Sequence, residues 1–262
     1  MSDAPAPPPQ PPPPPMAPPP GYVGYTETNW RGDLARVGGL ERWISILLGV
    51  SALSGIIGLA TTSSAFDAAE DFLRNNDEDE FRDAITANSM SGLLGGAASI
   101  ALLVLSIVWL YRVIRNHQTL GRQVTWAPGW AIGGWVLPPI LFIIPLLVLR
   151  ESWKAADPDV PPGSPAWRQG RDNPVIWFWF VVYGVLPLVF TILAAVQVGQ
   201  FVLGSGTQLG GDVEDLAEYL NDSKGLIIAQ AVVSIVSAVA WFLVVRAITA
   251  RHTRLTGEAS AR

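Results

Sequence analysis

The stretch WAIGGWVLPPILFIIPLLVL, residues 130–149, decides how many times this chain crosses a bilayer. It is as long and apolar as a membrane-spanning helix, which needs about 20 residues for a hydrocarbon core of about 30 Å. Its composition argues the other way. Pro138, Pro139 and Pro145 each lack a backbone donor and clash with the preceding turn, and Gly133 and Gly134 weaken the helix further. A continuous helix through Pro138-Pro139 is therefore not expected. Broken backbone at membrane depth survives only where other protein or water satisfies it.

Four further apolar runs flank this segment: residues 43–62, 91–109, 175–203 and 225–245. The first, second and fourth carry no charge and no proline; the third has one proline, Pro187. Charge decides between spanning and returning. If these four runs span and 130–149 does not, one side of the membrane holds 14 Lys and Arg, among them Arg36, Arg42, Arg112, Arg150, Arg168 and Arg246. The other side holds Arg74, Arg82 and Lys224. If 130–149 also spans, the split becomes 7 against 10. The positive-inside rule favours four spans, with both termini cytoplasmic.

The acidic residues agree. Asp67, Glu70, Asp71, Asp77, Glu78, Asp79, Glu80 and Asp83 fall in one outer loop. Asp212, Glu214, Asp215, Glu218 and Asp222 fall in the other. Trp43, Trp109, Trp177, Trp179 and Trp241 stand at or near inner helix ends, and Trp126, Trp130, Trp135 and Trp153 flank or enter the broken segment. That pattern reads as an aromatic belt at one headgroup level.

The expected fold is an all-α membrane protein: four transmembrane helices as two hairpins, a proline-broken re-entrant or in-plane segment, and a disordered N-terminal tail. Residues 1–35 form that tail; twelve of the 22 prolines lie in the first twenty residues, where polyproline II is the natural state. Tyr22, Tyr25, Thr26 and Thr28 follow as a short polar-aromatic spacer. Residues 36–122 make the first hairpin, with spans at about 43–62 and 91–112. Residues 123–157 make the re-entrant or interfacial segment and 158–173 a cytoplasmic linker. Residues 174–262 make the second hairpin, with spans at about 177–203 and 225–245. The hairpins read as a weak parallel repeat, with Ala69-Glu70-Asp71-Phe72-Leu73 echoed by Ala217-Glu218-Tyr219-Leu220. Ser51 with Gly55, Ser54 with Gly58, Gly92 with Gly96 and Ala195 with Gly199 have the spacing that lets helices approach closely.

No catalytic, metal or cofactor-binding residue stands out. The chain has no Cys, which excludes disulfides, thiolate sites and Cys nucleophiles. His117 and His252 lie near charged helix ends, away from spanning depth, so a Ser-His hydrolase in the membrane is not expected. The spans carry no ionisable residue, which argues against an ion-coupled carrier. Gln197, Gln200 and Gln230 are the only amides there and suit interhelical hydrogen bonds. Asp77-Glu78-Asp79-Glu80 lacks the glycine and distal Glu of a calcium loop, and Gly204-Ser205-Gly206 is a turn with no following Lys. Arg112, Arg115, Arg246, Arg251 and Arg254 are placed to meet anionic headgroups. The expected partners are the lipid bilayer, anionic headgroups at the inner face, and a protein that docks on the proline-rich tail; no nucleic acid is expected.

One motif carries a resemblance. Trp126-Ala127-Pro128-Gly129-Trp130 runs on through Gly133-Gly134-Trp135 to Pro138. Trp109-Leu110-Tyr111-Arg112 precedes it, and Arg150-Glu151-Ser152-Trp153-Lys154 to Pro158 follows. Together they resemble domain-of-unknown-function family 4328, over roughly residues 40–250. The resemblance implies a multi-pass protein of a bacterial inner membrane with a proline-rich N-terminus. It implies no activity. A non-enzymatic envelope interaction or scaffold protein, with the tail as a cytoplasmic docking arm, is the first reading. A passive channel or facilitator built around 130–149 is the alternative.

Overall fold

The structure, a computed structural model, describes residues 34–136, 143–204 and 213–261. The proline-rich tail, the Pro138-Pro139 step and Ser205-Gly206 lie outside the described residues. Every regular element among the described residues is helical. The α-helices are α1 (Gly38–Asn75), α2 (Glu78–Thr119), α3 (Trp130–Val136), α4 (Ile143–Ala155), α5 (Pro174–Phe180), α6 (Leu186–Gly204) and α7 (Val213–Thr256). By length and composition, α1, α2, the α5–α6 run and α7 are each able to cross a membrane.

Three of these helices are far longer than a membrane needs. At a rise of 1.5 Å per residue, α1, α2 and α7 extend about 57, 63 and 66 Å. The expected acidic loop between the first two runs is instead helix, interrupted only at Asn76 and Asp77. The reason is local. Asn76 takes a left-handed conformation (φ 59°) and closes α1 with a 2.7 Å bond to the Phe72 carbonyl. Asp77 then caps α2 by accepting from the Glu80 N–H at 3.2 Å. Glu78, Asp79 and Glu80 occupy the first turn of α2 and Arg74 the last turn of α1, each complementing a helix dipole. Phe72 stacks on Phe81 at 5.5 Å, and with Ala69 and Ala217 they form a small core at this acidic end. The two similar stretches at 69–73 and 217–220 thus meet in one cluster.

Pro187 shapes the third spanning run. Its ring cannot sit over a regular turn, and the backbone widens into a π-turn at Val181–Val185, directly before it. The Ser237 hydroxyl on α7 donates to the Val182 carbonyl in that turn at 2.8 Å.

α1 packs along both α2 and α7, while α7 lies mainly against α1 and touches α6 only lightly. The main core gathers at the arginine-rich end, around Trp109, Val113, Leu149, Trp179, Trp241 and Val244. Away from it the helices turn apolar side chains outward: Leu53, Ile56, Leu93, Ile100 and Ile192 are all exposed. An exposed apolar surface of this extent suits a bilayer rather than water.

Residues 130–149 do not form one straight helix. α3 and α4 pack side by side, α3 also against α2 and α4 also against α5. A Cβ built on Gly134 lies 3.4 Å from Ile144 and 3.5 Å from Pro145, so this glycine sets the approach of the pair. Gly133 meets only Trp130 of its own helix, at 3.7 Å.

The small-residue pairs need a similar correction. Gly55 is a true contact, with Ile235 3.1 Å from an added Cβ. Gly92 and Gly96 have nothing within 4 Å, so close helix packing does not account for them. The tryptophans do not form a single belt either. Trp43 and Trp177 are exposed, but Trp109, Trp179 and Trp241 are buried with Trp135 against them, because α3 fills the space between the helix ends.

Candidate functional site

Two features stand apart from plain packing: a groove among the spanning helices and a polar cap at the arginine-rich end.

The groove has a volume of about 560 Å³ and runs between α1, α2 and α7. It follows from the packing, because α1 holds α2 and α7 apart. Along α1 it extends from Leu48 to Thr62, about 21 Å, and along α2 from Asn88 to Ser106, about 27 Å. At the arginine-rich end Trp135, Trp179, Tyr183 and Trp241 form its floor. The rings contact one another at 5.1–6.0 Å between centroids. The Trp241 indole N–H donates to Ser106 at 3.1 Å. Those of Trp135 and Trp179, and the Ser51 hydroxyl, are buried without a partner among the described residues. At the acidic end the polar groups satisfy one another. The Thr61 and Thr62 hydroxyls donate to the side-chain amide oxygen of Asn88 at 3.1 and 2.9 Å, and Ser91 Oγ lies 3.2 Å from Thr61. Gly92, Ser99 and Ser234 line the groove and are exposed, so it opens sideways between α2 and α7.

The cap is built on the ends of α2 and α7, beyond the apolar stretches. His117 and His252 are fully buried and meet edge to face at 5.0 Å. Asn116 lies 3.0 Å from His252 Nε2, donates to the Ala35 carbonyl at 2.8 Å and accepts from the Ala35 N–H at 2.9 Å. Glu258 accepts from the N–H groups of Val37 and Gly38 at 3.0 and 3.1 Å, holding the first turn of α1. Buried Arg122 donates to the carbonyls of Asp157 and Val160 at 2.9 and 2.6 Å. Arg150 and Lys154 share Asp172 at 2.5 and 3.1 Å, which holds its carboxyl below the usual range, the Arg150 hydrogen bond first. Burial pushes the His252 imidazole down to about 4 and takes His117 well below its ordinary value, with the charges of His252 and Arg122 adding to the latter.

The sequence reading singled out none of Asn88, Asn116, Arg122, His117 or His252 as a packed polar group. One signal was available for the histidines. Trp109, Val113 and His117 lie at i, i+4 and i+8, and Trp241, Val245 and His252 share one face at i, i+4 and i+11, so each buried stripe runs past the arginines. The arginines expected at headgroups divide. Arg251 is paired with Asp157 and stacked 4.5 Å over Trp153, and Arg112 donates to the Arg36 carbonyl. Arg115, Arg246 and Arg254 remain exposed. Of the span amides, Gln230 is exposed, and the side chains of Gln197 and Gln200 lie outside the described residues. Among the described residues no three His, Asp or Glu converge as metal ligands, and the acidic run 77–80 serves as a helix start.

Neither curated proteins nor solved structures yield a significant match. One protein-family model matches residues 73–250, about two thirds of the chain, including the α3–α4 pair and, of the cap, Asn116, His117, Arg122, Arg150, Lys154 and Asp172. On that match the chain belongs to the family described as Domain of unknown function (DUF4328).

Proposed function

We propose that this protein is a non-enzymatic interaction protein of the cell membrane. Its helices anchor it, and its proline-rich arm docks a protein partner at the cytoplasmic, arginine-rich face. The observation that carries this reading is the root of the arm. Ala35 is held at both its N–H and its carbonyl by Asn116, and Val37 and Gly38 are held by Glu258. The arm therefore leaves the bundle at a fixed point beside both helix ends, among the exposed Arg115, Arg246 and Arg254. These arginines are placed to meet anionic headgroups, at about 1 kcal/mol each. A proline-rich segment loses little entropy on docking, because polyproline II is already extended. An α3–α4 pair that enters and leaves at the same face is what the charge asymmetry of the four-span topology asks for. A passive channel around 130–149 is less well supported, because the aromatic floor closes the groove at that end.

Deleting residues 1–28 tests the reading. Residues 1–28 are proline-rich and carry too little apolar surface to contribute to a core, so the shortened protein is expected to insert and melt like the full chain while losing its co-purifying partner. Identical partner sets with and without the arm would count against docking. Topology is checked in this Cys-free chain by single cysteines. Ser164→Cys and Ser260→Cys are expected to resist an impermeant thiol reagent applied from outside, and Ser205→Cys to react. Strong labelling at position 164 would overturn the four-span arrangement.

A further inference from the structure

We infer that the groove between α1, α2 and α7 holds one acyl chain of an anionic phospholipid, with the lipid's ester end at the tryptophan floor. The shape comes first. A volume of about 560 Å³ drawn out over some 21–27 Å makes a long, narrow space of a shape that suits one extended hydrocarbon chain. The groove opens sideways at exposed Gly92, Ser99 and Ser234, toward the lipid.

The second observation is independent of shape. Three lining residues from three different elements carry buried polar atoms without partners among the described residues: Ser51 Oγ, Trp135 Nε1 and Trp179 Nε1. Trp179 is 2% exposed. Orphans of this kind are costly in a dry site, so three at one end of one groove point to a missing acceptor. The polar groups at the acidic end are already bonded to one another and ask for nothing. The acceptor therefore belongs at the tryptophan end, and an ester carbonyl supplies it without a charge that the floor has no means to neutralise.

The third argument is charge. Exposed Arg115 and Arg246 follow Ser106 and Trp241 along α2 and α7 at the tryptophan end, whereas the acidic end carries exposed Asp71, Asp79, Glu80 and Asp83. A headgroup that leaves through the side opening and lies toward the tryptophan end meets cations, which favours an anionic lipid over a zwitterionic one. This also explains Gly92. No neighbour requires the absence of a side chain there, since an added Cβ meets nothing within 4 Å; what the glycine keeps open is the groove.

The inference does not depend on the docking arm. The full chain would be reconstituted with equal phosphatidylglycerol and phosphatidylcholine, transferred to mild detergent, and its retained lipids counted by native mass spectrometry. One phosphatidylglycerol per chain is expected, about tenfold over phosphatidylcholine. Gly92→Leu and Ser99→Leu each place carbon in the groove without displacing a helix. Both are expected to cut retention about tenfold while the melting temperature holds or rises. Ile100→Leu, on the outward face, is expected to retain lipid like the wild type. Unchanged retention in both groove variants would overturn the site, leaving a water-filled space; so would a wild type that retains no lipid. Equal retention of the two lipids would overturn the headgroup assignment.

Discussion

Acidification from pH 7 to pH 4 is expected to loosen the arginine-rich end of the bundle, by about 3 kcal/mol through His252 alone. His252 is buried as a neutral ring whose pKa falls to about 4, against about 6.5 in an unfolded chain. The sign follows from the protons bound. Between those two values the unfolded chain takes up a proton that the folded chain refuses, so stability falls as pH falls. Above about pH 6.5 neither state binds the proton and the effect vanishes; below about 4 it levels off. His117 acts in the same direction, because burial and the neighbouring charges lower it as well. Asp172 does not confuse the window. Its pKa is depressed below 3.8, so its stabilisation is lost only at lower pH. Melting temperature against pH in one detergent provides the measurement. The wild type should show a slope between pH 6.5 and 4, and His252→Gln a shallower one. A flat wild-type profile would show that the pair is not buried as neutral rings. The first local event should be at the arm's root, since Asn116 bridges His252 and Ala35. Amide exchange at residues 34–40 should rise before global unfolding.

The sequence showed the large features because they follow from a strong solvent preference. Four uncharged runs of about 20 residues leave few options for chains in a bilayer, and Pro138-Pro139 rules out a fifth continuous helix. The acidic segments misled, because clustered Asp and Glu read as solvated loop. In fact Glu70 with Arg74 and Glu78 with Arg82 form i,i+4 pairs, and Ala69 and Phe72 of α1 meet Phe81 of α2 in a buried seam. Tryptophan was ambiguous for a physical reason: an indole suits a headgroup belt or a dense core equally well. Which one applies depends on where α3 and α4 lie, and that is tertiary information. The groove was illegible for a related reason. Small residues at helical spacing mark either close contact or deliberate space. Gly55 and Gly92 look the same in sequence, yet one meets Ile235 at 3.1 Å and the other meets nothing. The polar cap was hidden because its residues lie past the arginines, where an apolar-run reading stops.

The aromatic floor carries the largest single-residue effect. Trp241→Ala is expected to cost about 3–5 kcal/mol, the range for removing a buried aromatic side chain. Trp241 is 6% exposed and touches Trp109, Trp135 and Trp179 at centroid distances of 6.1, 5.6 and 5.1 Å. Its removal also strips Ser106 of its indole donor, normally 3.1 Å away. Relaxation around the gap is poor, because the groove already lies on one side and the void joins it instead of closing. For a chain of this size the loss corresponds to a fall in melting temperature on the order of 10 °C. Trp43→Ala is the control. Trp43 is 61% exposed on the outward face of α1, and its loss is expected to change stability by no more than about 0.5 kcal/mol. A belt of equivalent tryptophans would make the two variants alike; a core of four rings makes them differ by several kcal/mol. Trp241→Phe divides the effect further. It retains most of the ring contacts and loses the N–H, so it should fall between the two, and lipid retention should survive in it if the acceptor site rests on Trp135 and Trp179.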